Sequence, residues 1–300
     1  MRRIAFLTAT CMIESHPDAR EDAWEHTLEF AALQPACKAR MIELEECVWD
    51  DPDFDPGDYE AVIIGTCWDY MQKPEAFIET LSRISTRVPL LNPLETVVWN
   101  ADKSYLRDLA DQGVPTIPTV WAEAATGEAI SAAFDALEAD DVVIKPRIGA
   151  SAWRQARLKR GEAMPPADQL PPGACLIQPF LKAAESEGEL TLLFFDRIFS
   201  HGLVKRPKPG DYRTQSMYGA KEERADPPND ALDVAQAALA AVDGPLLYAR
   251  VDMMRGADGG WNVMELELIE PYLYPEQGEF LGAYFAAALD RLLAKTRLAS

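Results

Sequence analysis

The apolar positions change period several times along the chain, and those changes divide it into three stretches. In the first, Ile4–Thr10, Met41–Trp49 and Ala61–Trp68 read as strands, and Val88–Pro93 as a short extended end. Between them, Asp18–Leu33 and Pro74–Ser85 carry the spacing of amphipathic helices. Ala61–Gly65 is apolar without alternation, as expected of a parallel strand covered on both faces. Strands alternating with helices predict a small parallel α/β lobe over residues 1–92.

From residue 93 the pattern changes. A helix is expected over Val97–Gly113, stopped by Gly113 and Pro115. Strands over Pro115–Trp121 and Asp140–Pro146 flank a helix at Thr126–Ala139. Lys145–Leu158 reads as one loop of small residues with three arginines, and Met164–Gly173 as a proline-rich surface connection. A strand at Ala174–Ile177 then meets Pro179, which lacks a ladder donor and ends it. This second stretch is expected to form a lobe over 93–180. The remainder, 181–300, carries strand pairs at Gly188–Asp196 with Ile198–Arg206 and Leu246–Met254 with Gly260–Glu270. Helices at Asp230–Val242 and Gly278–Lys295 cover them. The expected class is therefore three α/β and α+β lobes in series.

Composition narrows the partners. At 48% hydrophobic residues, the 300-residue chain has enough apolar material for several real cores, and no run approaches a membrane span of ~20 residues. The N-terminus reads as a first strand, not a signal peptide. Cys11, Cys37, Cys47, Cys67 and Cys175 form no CxxC and no metal-ligand spacing, as expected of a reduced, cytoplasmic protein. A net charge of −20 argues against nucleic acid, whereas a nucleotide needs only a local cluster of cations. Oligomeric state is not legible: Phe280–Ala294 suits a core helix or a dimer face.

The strongest chemistry lies in the last hairpin. A turn centred between Asp258 and Gly259 sets Asp252 opposite Glu265 and Arg250 opposite Glu267. Opposed residues lie about 4.5–5.5 Å apart, and Glu265 and Glu267 share one face. Three acids this close repel one another unless a cation intervenes, and a hard divalent ion suits their oxygen donors. A solvated acidic strand face is the competing reading, against which stand the apolar neighbours Val263, Leu266, Leu268 and Ile269.

Other positions are suggestive singly. Lys145 ends an apolar strand beside the small loop Gly149-Ala150-Ser151-Ala152, an arrangement for holding phosphate; a snorkelling surface lysine is the alternative, for Lys103 as well. Lys205, Arg206 and Arg213 form a basic patch, and Arg250 adds a cation near Asp252, for polyphosphate or for plain ion pairs. Gln178-Pro179-Phe180-Leu181 offers backbone groups to a purine edge or forms an ordinary inter-lobe turn. Trp68-Asp69-Tyr70, beyond a strand's carboxyl end, is a substrate site or a surface loop. No P-loop, GxGxxG, HExxH or GxSxG motif occurs, and the three histidines form no ligand pattern.

Taken in order, these segments resemble the ATP-grasp superfamily from about Asn92 to Tyr274, with the first lobe similar to its N-terminal domain. The resemblance implies ATP between the central and C-terminal lobes. Lys103, Lys145, Gly149 and Ser151 would hold its phosphates, Gln178–Leu181 its adenine, and Glu185 or Glu189 its ribose. It further implies Mg²⁺ (one or two ions, with Mn²⁺ as an alternative) on Asp252, Glu265 and Glu267, and Arg213 and Arg250 at the reacting phosphate. The usual Glu-x-Asn ending is here Glu-x-Glu, which adds a negative charge. Within the superfamily the segments Ser200–Gly219, Met264–Tyr274 and Cys67–Tyr70 look nearest to the glutathione-synthetase-like branch that includes the O-ureido-serine cyclo-ligases of D-cycloserine biosynthesis. An ADP-forming C–N ligase acting on a small amino-acid-like substrate is the implied activity; an intermolecular ligase or a non-catalytic ATP-binding protein is the alternative.

Overall fold

A computed structural model describes residues 1–149, 152–214 and 219–299, with side chains to residue 295. The first sheet, ordered β2-β1-β3-β4, is parallel throughout and consists of β1 (Arg2–Thr8), β2 (Ile42–Val48), β3 (Ala61–Ile64) and β4 (Leu90–Leu91). All four residues of β3 are buried, as its unbroken apolar run requires. Helices α1 (Trp24–Lys38) and α2 (Pro74–Ser85) cover the sheet from opposite sides. α1 begins six residues later than expected and runs past Pro35 to Lys38. Turns take up the chain before it, with Arg20 N–H donating to Cys11 O. Burial of Leu33 and Cys37 carries the helix across the proline.

The expected single helix over 97–113 is two, α3 (Leu94–Asn100) and α4 (Tyr105–Asp111). Asp102 breaks it: the carboxylate accepts from Ser104 N–H and pairs with Arg147 at 2.5 Å, while Lys103 N–H donates to Arg147 O. A short acid competing for backbone donors in this way disfavours a helix interior.

The central sheet, ordered β5-β8-β6-β7, contains β5 (Val120–Ala122), β6 (Asp141–Pro146), β7 (Ala156–Lys159) and β8 (Cys175–Pro179). Helix α5 (Gly127–Ala136) packs on it through Ile130 and Phe134. The stretch read as one loop to Leu158 is thus shorter, because β7 pairs back onto β6. Helix α6 (Ala183–Ser186) leads into the third sheet, β11-β10-β9-β12-β13. Its strands are β9 (Glu189–Phe195), β10 (Ile198–Arg206), β11 (Lys221–Arg224), β12 (Tyr248–Arg255) and β13 (Trp261–Glu267).

Helices α4 and α7 (Asn229–Ala240) bury one face of the third sheet. The other face shares a core with the first sheet, α1 and α8 (Leu281–Ala299), through Phe6, Phe195, Tyr248 and Phe285. At Gly282 a Cβ would strike the Ala32 carbonyl, so the approach of α8 to α1 needs glycine there. The first and third sheets thus meet across one continuous interior. Among the described residues no helix is long and apolar enough to cross a membrane.

Candidate active site

The hairpin β12–β13 has the expected register where the acids lie: Arg250 faces Glu267 and Asp252 faces Glu265. Nearer the turn the register slips, with Met253 opposite Val263, leaving Met264 as an extra residue. This bulge gives Val263 and Leu266, three apart, the same outward-facing backbone edge. β13 is an edge strand, and side chains do the work of a missing neighbour. Asn100 donates to Leu266 O at 2.8 Å and accepts from Leu268 N at 2.9 Å, and the Tyr105 hydroxyl accepts from Leu266 N at 2.9 Å. Pro115 O accepts from Val263 N at 2.9 Å. A strand clamped in this way holds its carboxylates in place. One oxygen from each of Asp252, Glu265 and Glu267 lies within 4.8 Å of the others.

Each acid has a cation. Lys103 Nζ is 2.8 Å from Glu265 Oε1 and donates to Gly149 O at 2.6 Å. Arg250 donates twice to Asp252 at 3.0 Å and also to Glu267. Lys205 joins Asp252, at 3.2 Å, to Glu189, and Thr191 Oγ1 donates to Asp252 at 2.5 Å. Burial works to raise the pKa of Asp252, but Arg250 and Lys205 outweigh it and hold the group below the usual carboxylate range. Lys103 does the same for Glu265. Burial wins at Glu267, where Arg250 opposes it and Glu265 adds repulsion, and its carboxyl is pushed up to about 7. The donors are all hard oxygens, which fits Mg²⁺ or Mn²⁺ and not a soft metal.

The three acids, with Lys103, Lys205 and Arg250, line a cleft of about 260 Å³. Lys145 lines it too, and burial lowers its pKa. Gly149 and the run Gln178, Pro179, Phe180, Leu181 form the central-lobe wall, with Gln178 donating to Thr119 Oγ1 at 3.0 Å. Arg157 stacks 3.3 Å from the Phe180 ring centre. Glu189 lines the cleft, held by Lys205 and by the Thr214 hydroxyl at 2.6 Å. Glu185 is outside the lining set and pairs instead with Arg157 at 2.8 Å. Ser151 lies outside the described residues.

The basic patch separates. Lys205 is buried at the acids, Arg206 faces Glu187 and Glu223, and Arg213 lines the cleft while pairing with Asp211 at 2.8 Å. At the N-lobe end, Trp68 and Tyr70 line the cleft. Asp69 does not; it accepts from Trp49 Nε1 at 2.7 Å and faces Lys73. Tyr70 is buried against Phe77, with ring centres 4.7 Å apart.

Sequence reasoning passed over several lining residues: Arg20, Glu25, Glu270, Tyr272 and Tyr274. The acid run Glu265, Glu267, Glu270 was a signal for Glu270. Arg20 and Glu25 carried none, since they reach the site only through the turn before α1 and the first turn of α1, far in sequence from the hairpin.

Residues 4–92 match the family of D-cycloserine synthetase DcsG N-terminal domains. Over 279 residues the chain is 35% identical to the cycloserine biosynthesis protein DcsG of Streptomyces lavendulae, covering 87% of this chain and 92% of that one. The crystal structure of D-cycloserine synthetase DcsG superposes with a TM-score of 0.84 at 30% identity, covering 97% and 99% of the two chains. D-alanine–D-alanine ligase from Bacillus anthracis, at 15% identity, shares the fold with a TM-score of 0.65 over 99% of this chain and 100% of its own. The hairpin acids, the lysines facing them and these likenesses converge: the chain belongs to the D-cycloserine synthetase family of ATP-grasp ligases, enzymes that form C–N bonds.

Proposed function

We propose that the protein closes O-ureido-D-serine to the D-cycloserine ring at the expense of ATP, within a three-lobed chain divided near residues 92 and 180. The observation that carries the reading is the acid trio Asp252, Glu265 and Glu267 in one cleft, each acid already matched to a lysine or arginine. ATP would enter between the central and third sheets, its adenine against Gln178–Leu181 and its phosphates at Lys145 and Lys103. Glu189 is the ribose acid of the two weighed, because it lines the cleft and Glu185 does not.

The acid trio would hold Mg²⁺, which when bound neutralises charge on the phosphate oxygens. Lys103, now on Glu265, would turn to phosphate as that acid is taken up. A substrate carboxylate oxygen attacks the γ-phosphorus, the bond to the ADP oxygen breaks, and an acyl phosphate forms. The oxygen-bound ureido nitrogen then attacks the carbonyl carbon and loses its proton, the C–O bond breaks with its electron pair, and inorganic phosphate leaves. Water would then cleave the carbamoyl group from that nitrogen as carbon dioxide and ammonia, giving D-cycloserine. Arg250, and Arg213 at the cleft wall, would stabilise the oxyanion. The acyl phosphate hydrolyses readily, so water must be kept out, and the Gly149–Arg157 loop, of which residues 150–151 lie outside the described residues, would be the covering element. All five cysteines are free, which suits a cytoplasmic enzyme.

The test is ADP release by the purified protein with Mg²⁺-ATP and O-ureido-D-serine, its L enantiomer and a panel of amino acids. ADP formed with O-ureido-D-serine, together with a cyclic product by mass spectrometry, is the expected result. A linear amide would make this an intermolecular ligase, and ATP binding without turnover would make it a binding protein; either overturns the ring-closing assignment.

A further inference from the structure

The ion pairs of the cleft leave two charged residues over. Arg20 is taken by Asp22 at 2.6 Å, Lys103 by Glu265, Lys205 by Glu189 and Asp252, Arg250 by Asp252 and Glu267, and Arg213 by Asp211. Among the described residues, Lys145 and Glu270 line the same cleft with no ion pair or side-chain hydrogen bond of their own. Lys145 ends β6 in the central lobe, and Glu270 follows β13 where the cleft meets the N-terminal lobe. A cation and an anion left open at opposite walls suit a pair of ligands, one anionic and one cationic.

Glu270 is firmly placed. Trp68 Nε1 donates to its backbone carbonyl at 3.0 Å, and the Tyr248 hydroxyl donates to Ile269 O at 2.8 Å. The Trp68 ring stands edge-on to Tyr272, with centres 6.0 Å apart, and Tyr272 to Tyr274 at 4.8 Å. All three rings line the same cleft as Glu270. A carboxylate among aromatic faces recognises an ammonium group, through a charge-assisted hydrogen bond and the ring quadrupole together. Two residues separate it from Glu267 and both acids line the one cleft, so a substrate whose carboxylate is at the acid trio would turn its α-ammonium toward this wall.

We propose that Glu270, with Trp68 and Tyr272, is the subsite for the free α-ammonium of the amino-acid substrate, a specificity-determining position that leaves that nitrogen out of the reaction. The inference rests on the ligase reading above and concerns the end of the cleft away from the nucleotide. Burial pushes the Glu270 carboxyl up to about 8, as expected of an acid still without its cation.

Glu270→Gln keeps the shape and removes the charge. The expected result is a KM for O-ureido-D-serine raised about 10–100-fold, the usual scale for a lost charge-assisted hydrogen bond. Mg²⁺-ATP affinity and the KM for ATP stay unchanged. The second arm uses the deamino analogue, which lacks the α-amino group: wild type and Glu270→Gln should bind it equally, as competitive inhibitor or substrate. An unchanged KM for O-ureido-D-serine overturns the assignment. So does a variant that discriminates against the deamino analogue as strongly as wild type does. A fall in ATP affinity in Glu270→Gln would make the residue structural, and overturns it equally. Failure of the ligase reading shows separately, as absence of substrate-dependent ADP in wild type.

Discussion

The acids at the two ends of the cleft are kept in opposite states. On the hairpin, Arg250, Lys205 and Lys103 hold Asp252 and Glu265 ionised against their burial. Among the described residues, Glu270 in the cleft and Glu29 on α1, toward the N-terminal lobe, pair with no cation, and burial pushes both up to about 8. Glu267 falls between, at about 7. The difference is one of supply. The hairpin acids are met by cations, Arg250 from β12, Lys205 from β10 and Lys103 from between α3 and α4, so on the reading proposed above they would exchange one positive partner for another when a metal binds. The N-terminal end carries aromatic rings and one arginine, Arg20, which is taken by Asp22, so Glu270 would meet its charge in a ligand. On the reading proposed above, one half of the cleft would take the nucleotide and the other the substrate.

Substitutions that empty the hairpin end should have the largest effects. Lys145→Ala and Glu267→Gln should each lower turnover by about 10²-fold or more, the scale of a lost contact to transition-state charge. The check is ADP production at saturating substrates, and near-normal rates in both would erase the distinction between the two ends. Glu270→Gln should instead act on the substrate KM and spare the nucleotide, which sharpens the distinction.

Asn100→Ala probes how the hairpin is held. It leaves Leu266 O and Leu268 N buried and unpaired, and should cost about 1–3 kcal/mol of stability in chemical denaturation. Turnover should fall with it while the cleft charges remain. Unchanged stability would mean that the edge of β13 finds partners elsewhere.

The smallest effect concerns Glu29, whose carboxyl accepts from Leu273 N–H at 2.9 Å. Burial raises it from an ordinary value of 4.5 to about 8, with Leu273 opposing and Glu25 adding to the rise. The folded protein therefore keeps this proton where the unfolded chain has lost it. Stability is fully present below pH 4.5 and declines as pH rises through 8. Glu29→Gln should match wild type at pH 5 and melt about 2–4 °C higher at pH 9. Equal melting at both values would contradict a neutral acid in this interior.

Much of the hairpin was legible because its information is local. Alternation, a glycine-rich turn and apolar neighbours fix which residues face each other, and Arg250 opposite Glu267 follows from counting. The bulge at Met264 was not legible, since it depends on Pro115 and Asn100 meeting the strand's outer edge. The break between α3 and α4 was hidden for the same reason. Asp102 interrupts a helical pattern only because Arg147, 45 residues away, is there to pair with it. Likewise Trp68 was visible as a loop residue, while its hydrogen bond to Glu270 joins segments 202 residues apart. What the sequence withheld was how the N-terminal lobe is set against the hairpin.

The most direct measurement is a calorimetric titration of ATP into wild type and Glu265→Gln, with and without Mg²⁺. If the acid trio is the metal centre, wild type binds ATP tightly only with Mg²⁺, and Glu265→Gln loses at least about tenfold of that gain, a loss of 1.4 kcal/mol or more. ATP affinity independent of Mg²⁺ in wild type, or an undiminished Mg²⁺ effect in Glu265→Gln, would contradict the account.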